Sequence, residues 1–449
     1  MALPEHLRSL IQRGVAENRP VGQGQVRALL GVSVEVDGML AASGDLCTIH
    51  AAGKEIAAEV VGFREGATMV MPLGEMAGIA PMDLVTNHAQ PLMVLTGNAL
   101  LGRVIDALGR PIDGGPPLRG VERPVVAEAP RVMSRQPITE AVRTGVAAID
   151  GFLTCGRGQR LGIFAGSGVG KSTLLGMIAR DGTADVNVIA LIGERGREVR
   201  DFLDNVLGPE GLKKSVVVVA TSDSPPMLRF KGPFTAVTMA EAFRAQGLNV
   251  MFTMDSMTRF ATAAREIGLA AGEPPTLRGY PPSLFAHLPR LVERMGTDGR
   301  GSITGLLTVL VEGDDLSEPV SDALRGYLDG HIVLSRQIAA RGKFPAVDVL
   351  SSVSRLMPNV ASVEHRECAQ NVRELLAHYE ENRDLVQVGA YRKGSDPLLD
   401  RSMEKIEAIE RLLYHGHESR DFESTLESLR QLAMNGSQGS IMSHGMADE

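Results

Sequence analysis

Apolar and polar positions change rhythm several times along the chain. Leu3, Leu7, Leu10, Ile11 and Val15 recur at helical spacing, with Arg8, Arg13 and Arg19 off that stripe. The spacing predicts a short amphipathic arm over residues 1–20. Over residues 21–91 the pattern becomes β-like: runs at 25–30, 32–36, 46–50, 56–63 and 68–71 alternate with Gly, Asp and Pro turns. That predicts a small β-barrel domain. Residues 92–345 carry longer apolar runs, at 160–164, 186–192, 215–220, 250–254 and 304–311, with helical stretches between them. Such runs predict an α/β domain: a mostly parallel sheet covered on both faces, with its ligand at the carboxyl ends of the strands. After about Ala346 no further strand is expected. Amphipathic helices at 364–382, 399–415 and 421–434 make residues 346–434 a helical domain. The Gly/Ser-rich tail, residues 435–449, reads as disordered.

Composition narrows the class. The 449 residues are 44% hydrophobic and 22% charged, ordinary for a folded protein. No run of eighteen or more apolar residues is present, and the first twenty residues do not read as a signal peptide. The three cysteines, Cys47, Cys155 and Cys368, are far apart. They read as small core residues in a reducing cytoplasm, not as a zinc site. The net charge of −8 argues against broad electrostatic binding of nucleic acid. The barrel is still less suited to RNA: three basic residues face eight acidic ones, and Phe63 is its one aromatic. It reads as an assembly collar.

The chemistry is concentrated in Ala165-Gly166-Ser167-Gly168-Val169-Gly170-Lys171-Ser172. An apolar stretch precedes it and a helix-forming stretch beginning at Thr173 follows. Strand, glycine-rich loop and helix are the setting of a phosphate-binding P-loop. Its glycines let successive N–H groups turn toward phosphate oxygens, and the new helix adds unpaired N–H groups and its dipole. Lys171 would reach the β- and γ-phosphates, and the Ser172 hydroxyl would ligate Mg²⁺. Residues 250–254 form an apolar strand ending in Asp255, a Walker B pattern that places a second metal-holding group beside the loop. Residues 186–192 lead to Gly193-Glu194-Arg195-Gly196-Arg197-Glu198. Glu194 at that strand exit would orient the attacking water, and Arg195 would contact the γ-phosphate. The competing reading is a local Glu–Arg ion-pair cluster.

These motifs carry a resemblance. Residues 165–172 and 193–198, with Asp255-Ser256-Met257-Thr258-Arg259-Phe260, are similar to the catalytic subunits of rotary ATPases. Residues 345–355, Pro345 to Arg355, resemble the α/β-subunit signature of that superfamily. Residues 312–319, 329–336 and 389–397 resemble the type III export ATPases of flagella and injectisomes. The resemblance implies a RecA-like core that binds ATP and Mg²⁺, with Glu194 as general base. It puts Phe344 where an aromatic, commonly Tyr, stacks on adenine. Arg355 takes the arginine-finger place, acting on the ATP of the next subunit in a head-to-tail homohexamer. Rotary synthase β-subunits have an acidic stretch where this chain has Gly389 to Pro397, so contacts to a synthase γ-stalk are not expected.

The family implies other partners: a coiled-coil central stalk, a stator-like regulator on the N-terminal arm, export chaperones and cargo, and export-gate membrane proteins. It also implies a cytoplasmic protein peripheral to the inner face of the bacterial membrane. Residues 164–180 look more like the flagellar than the injectisome version. Two rival readings are a Rho-like RNA translocase and a nucleotide-holding assembly subunit without turnover. The acidic barrel opposes the first and Glu194 the second.

Overall fold

The computed structural model describes residues 22–311 and 317–434. The N-terminal arm (1–20), residues 312–316 of one family motif and the tail (435–449) lie outside the described residues. Six strands, β1 (Gln23–Leu30), β2 (Ser33–Asp37), β3 (Leu46–Ala51), β4 (Lys54–Arg64), β5 (Ala67–Pro72) and β6 (Leu84–Asn87), close into a barrel in the order β1-β2-β5-β4-β3-β6. Alternation builds its interior. In β3 every second residue, Cys47, Ile49 and Ala51, points inward to meet Val34, Val36, Ala58 and Val85. The closing strand β6 is absent from the hydrophobic reading. It is four residues long and ends in Thr86 and Asn87. Pairing with both β1 and β3 makes it a strand, which local pattern does not report.

Among the described residues the central sheet has nine strands. Eight form its path: β7 (Arg103–Asp106), β8 (Arg160–Ala165), β9 (Val186–Glu194), β10 (Ser215–Thr221), β11 (Asn249–Asp255), β12 (Ser302–Leu310), β13 (Gly330–Leu334) and β14 (Val347–Ser354). They lie in the order β14-β13-β8-β12-β11-β9-β10-β7, and every pair on this path is parallel except β13–β14. Both faces are buried. Phe164, Val188, Ala190 and Ile192 join one core, Leu161, Ile163 and Ala165 another, so these strands read as unbroken apolar runs.

The strands do not stop near Ala346. β14 continues to Ser354, antiparallel on β13. Its burial is broken, with Leu350, Ser351 and Val353 exposed, as befits a sheet edge with one open flank.

Helix α1 (Ala147–Phe152) precedes the P-loop strand, and α2 (Lys171–Asp181) follows the loop. Helices α3 (Pro226–Arg244) and α4 (Met257–Ala270) cover the opposite face. The C-terminal helices are α5 (Val363–Glu381), α6 (Pro397–Leu413) and α7 (Phe422–Ala433). Each has a side-chain N-cap, from Ser362, Asp396 and Asp421 respectively. Their apolar faces do not form a separate core. Val372, Leu375, Ile409, Leu412 and Leu429 share one cluster with Ile149 and Phe152 of α1 and Leu174 and Ile178 of α2. The C-terminal helices are therefore packed onto the P-loop side of the sheet. Cys47 and Cys155 are buried and Cys368 half-buried, all as free thiols. Among the described residues no helix is long and apolar enough to cross a membrane.

Candidate nucleotide site

The P-loop runs from the end of β8 into α2. Gly168 and Gly170 have φ of 79° and 88°, in the left-handed region that a side chain disfavours. At Gly170 a Cβ would also stand 3.4 Å from the Phe344 ring, and at Gly166 it would meet the Arg336 guanidinium, 2.3 Å from Nε. The loop is thus pressed from both ends by side chains outside the sequence motif. Helix α2 begins at Lys171, so its first N–H groups have no acceptor within the helix. Ser167 and Gly168 are exposed, as is Ser172. The Ser172 side chain is thus open to solvent in the first turn of α2.

Lys171 and Asp255 meet directly. Lys171 Nζ lies 2.6 Å from Asp255 Oδ1, with side chains 11% and 3% exposed. Thr308 Oγ1 donates to the same carboxylate oxygen at 2.9 Å. Thr308 comes from β12, which lies between the P-loop strand β8 and the Asp255 strand β11. The strand carrying Glu194, β9, is one place further out and is not a direct neighbour of β8. Only the right-handed twist and the common direction of these strands bring their carboxyl ends to one crevice.

Glu194 closes β9, partly buried. Burial, reinforced by the Asp255 charge and opposed by Lys171, pushes its carboxyl from 4.5 up to about 7. A carboxyl poised there can accept a proton at neutral pH. Gly193 before it has φ of 74°, and a Cβ there would meet the Arg259 side chain at 2.7 Å. That turn aims Glu194 into the crevice. Arg195 is exposed, with Nη1 3.4 Å from Glu198. This is the local pairing that the sequence offered as the competing reading for this cluster.

Phe344, half-buried, stands at the loop's other end against Gly170. Arg355 is elsewhere. It is exposed, and its backbone N–H donates to Asp329 O at 3.0 Å. Asp329 in turn pairs with Arg160, the first residue of β8, at 3.0 Å. Arg355 therefore sits at the amino end of the strand whose carboxyl end carries the P-loop, roughly 16 Å away along the strand.

Residues 145–354 match the ATP synthase alpha/beta family, nucleotide-binding domain, and residues 361–431 match the type III secretion EscN ATPase C-terminal domain. The chain is 51% identical over 418 residues to a flagellum-specific ATP synthase of Bacillus subtilis, covering 92% of this chain and 95% of that protein. It is 48% identical to a type 3 secretion system ATPase of Xanthomonas euvesicatoria, covering 90% and 93%. The chain belongs to the type III export ATPases. The assembled ATPase EscN of enteropathogenic E. coli superposes with a TM-score of 0.87 at 42% identity, over 92% of this chain and all of that one. EscN in complex with its central stalk EscO gives 0.85.

As a type III export ATPase the chain hydrolyses ATP to energise protein export. One contact falls on a residue that the sequence did not single out, Thr308 on Asp255; two more, Arg336 against Gly166 and Arg259 against Gly193, fall on residues inside the family motifs. Thr308 was unreadable because it lies inside a continuous apolar strand. Arg336 ends one of the family motifs, which marked it as similar without giving it a contact.

Proposed function

We propose that this export ATPase serves the flagellum, working as a homohexameric ring whose catalytic sites are shared between neighbouring copies. The carrying observation is the position of Arg355. It is exposed at the amino end of β8, a strand length from its own P-loop, so a finger at this residue acts on a neighbour's ATP. That calls for a head-to-tail contact between copies, which a closed ring satisfies at every site. EscN, described in assembled form and with a central stalk, supports assembly and a central stalk for this chain; the coiled-coil form of that stalk rests on the family resemblance.

In the proposed site, Lys171 and the N–H groups of residues 166–173 hold the phosphates of ATP. Ser172 and Asp255 fit a hard cation such as Mg²⁺, which would screen the β- and γ-phosphate charge. Displacing Lys171 from Asp255 toward phosphate frees that carboxylate for the metal. Glu194 orients the water and takes its proton, Arg195 turns from Glu198 to the γ-phosphate, and Phe344 stacks on adenine. The chaperones, cargo, stator-like regulator and export gate stand as partners on the family resemblance, as does a cytoplasmic place at the membrane's inner face.

Deleting the gene and restoring it with the native or the Lys171→Ala chain tests the assignment. Loss of motility rescued only by the native chain supports the flagellar reading. Intact motility with lost effector secretion would move the protein to an injectisome, the reading favoured by the Xanthomonas relative.

A further inference from the structure

The connection from β13 to β14 touches both ends of the P-loop. Arg336, at its start, lies against Gly166, and Phe344, at its end, lies against Gly170. The same connection is tied to the C-terminal helices at its Phe344 end. Lys343 Nζ pairs with Glu410 of α6 and stands 5.7 Å from the centroid of the Tyr414 ring. Gly416 N donates to Phe344 O at 2.8 Å, and Arg341 Nη1 is 3.8 Å from Glu380 of α5.

We propose that Lys343, through Glu410, is a positioning residue that holds Phe344 on the P-loop and makes adenine affinity depend on where the C-terminal helices stand. It rests on Phe344 being the adenine platform. Lys343 precedes Phe344 directly, so the pair with α6 and the ring of Tyr414 fix the backbone from which the aromatic projects. A displacement of α6 that pulls Lys343 turns Phe344 off Gly170 and weakens stacking. Linkage makes the relation reciprocal: adenine bound on Phe344 favours the helix position that keeps Lys343 on Glu410. Phosphate binding, carried by the loop backbone and Lys171, does not depend on the pair. The specific signature is therefore an effect on the base and not on the triphosphate.

Charge reversal tests this in the full chain. Lys343→Glu and Glu410→Lys should each raise the KM for ATP roughly fivefold or more, the scale of a modest coupling. Turnover at saturation should change by less than about twofold, since the reacting groups are untouched. The double variant Lys343→Glu/Glu410→Lys should bring KM back toward the native value. Inhibition by inorganic tripolyphosphate, which has no base, should keep its native constant in all three.

Single variants with native KM, a double variant no better than either single, or equal weakening of tripolyphosphate would each overturn the proposal. Phe344→Ala separates the underlying reading. If it leaves the KM for ATP unchanged, the adenine assignment fails. If it raises KM while the Lys343 and Glu410 variants do not, the positioning role alone fails.

Discussion

Lys171 Nζ and Asp255 Oδ1 are 2.6 Å apart, in a contact almost closed to water. Lys171, the first residue of α2, and Asp255, the last of β11, thus neutralise each other although β12 lies between the strands that lead to them. Removing one partner of such a pair leaves a buried charge, at a cost of about 3–5 kcal/mol. Lys171→Met should therefore abolish hydrolysis and also destabilise the protein by that order at pH 7. Adding Asp255→Asn should recover most of the stability and none of the activity. Thermal melts beside phosphate-release assays check both; a Lys171→Met chain as stable as the native one would remove the pairing from the folded state.

Glu194 should impose a pH dependence on the free enzyme. Its carboxyl titrates at about 7, so kcat/KM should climb as pH rises through that value. Glu194→Gln should lose turnover by roughly 10²–10⁴ and lose this limb while still binding ATP. The stability effect has a defined sign. The folded pKa lies above the ordinary 4.5, so the contribution is present below 4.5 and is lost as pH rises through about 7. The unliganded Glu194→Gln chain should thus be the more stable one at pH 8, with the difference closing toward pH 4.5. Melts at a series of pH values would expose an opposite slope.

Arg355→Ala should leave ATP binding by dilute chains at the native level. Turnover of the concentrated protein should fall by about 10³–10⁵, the worth of an arginine finger. Native specific activity should rise with protein concentration, and the variant's should not. A native activity independent of concentration would place the whole site within one chain.

The barrel and the ATPase core are joined by a second buried pair, Lys231 Nζ to Glu59 Oε2 at 2.6 Å, with side chains 6% and 10% exposed. Burial holds the Glu59 carboxyl above its usual range even against the Lys231 charge. Its contribution to stability is therefore present below the ordinary carboxylate value and is lost as pH rises through the folded value. Lys231→Met should destabilise by roughly 3–5 kcal/mol at neutral pH. The penalty should shrink in mild acid, where Glu59 takes up a proton and no longer needs a partner. Replacing both residues by apolar ones of similar size should restore most of the loss. A penalty independent of pH would show that packing, and not the charge, is what Lys231 supplies.

Much of this was legible without coordinates because it is local. The P-loop is a strand, a turn and a helix start in one continuous stretch, and its glycines are required by backbone angles set within a few residues. The exits at Glu194 and Asp255 were legible for the same reason: an apolar run that stops at an acid marks a strand's end. The three C-terminal helices announced themselves by amphipathic periodicity; their side-chain caps, Ser362, Asp396 and Asp421, came from the structure.

Tertiary structure decided the rest. Short strands such as Leu84–Asn87 and Arg103–Asp106 exist because a neighbour pairs with them, and their own four residues carry too little pattern to say so. The insertion of β12 between the P-loop strand and the Asp255 strand is strand order, which no local signal encodes. From it follow the Thr308 bond to Asp255 and the reach of Lys171. The same holds for Glu59 with Lys231, Arg336 on Gly166 and Lys343 with Glu410. In each, the energy of the contact depends on a desolvated or closely packed geometry that residues distant in the chain create only by folding together. The sequence by itself determined the motifs and the groups they present; folding decided which of those groups touch, at what ionisation, and that Arg355 stands at the amino end of β8, a strand length from its own loop.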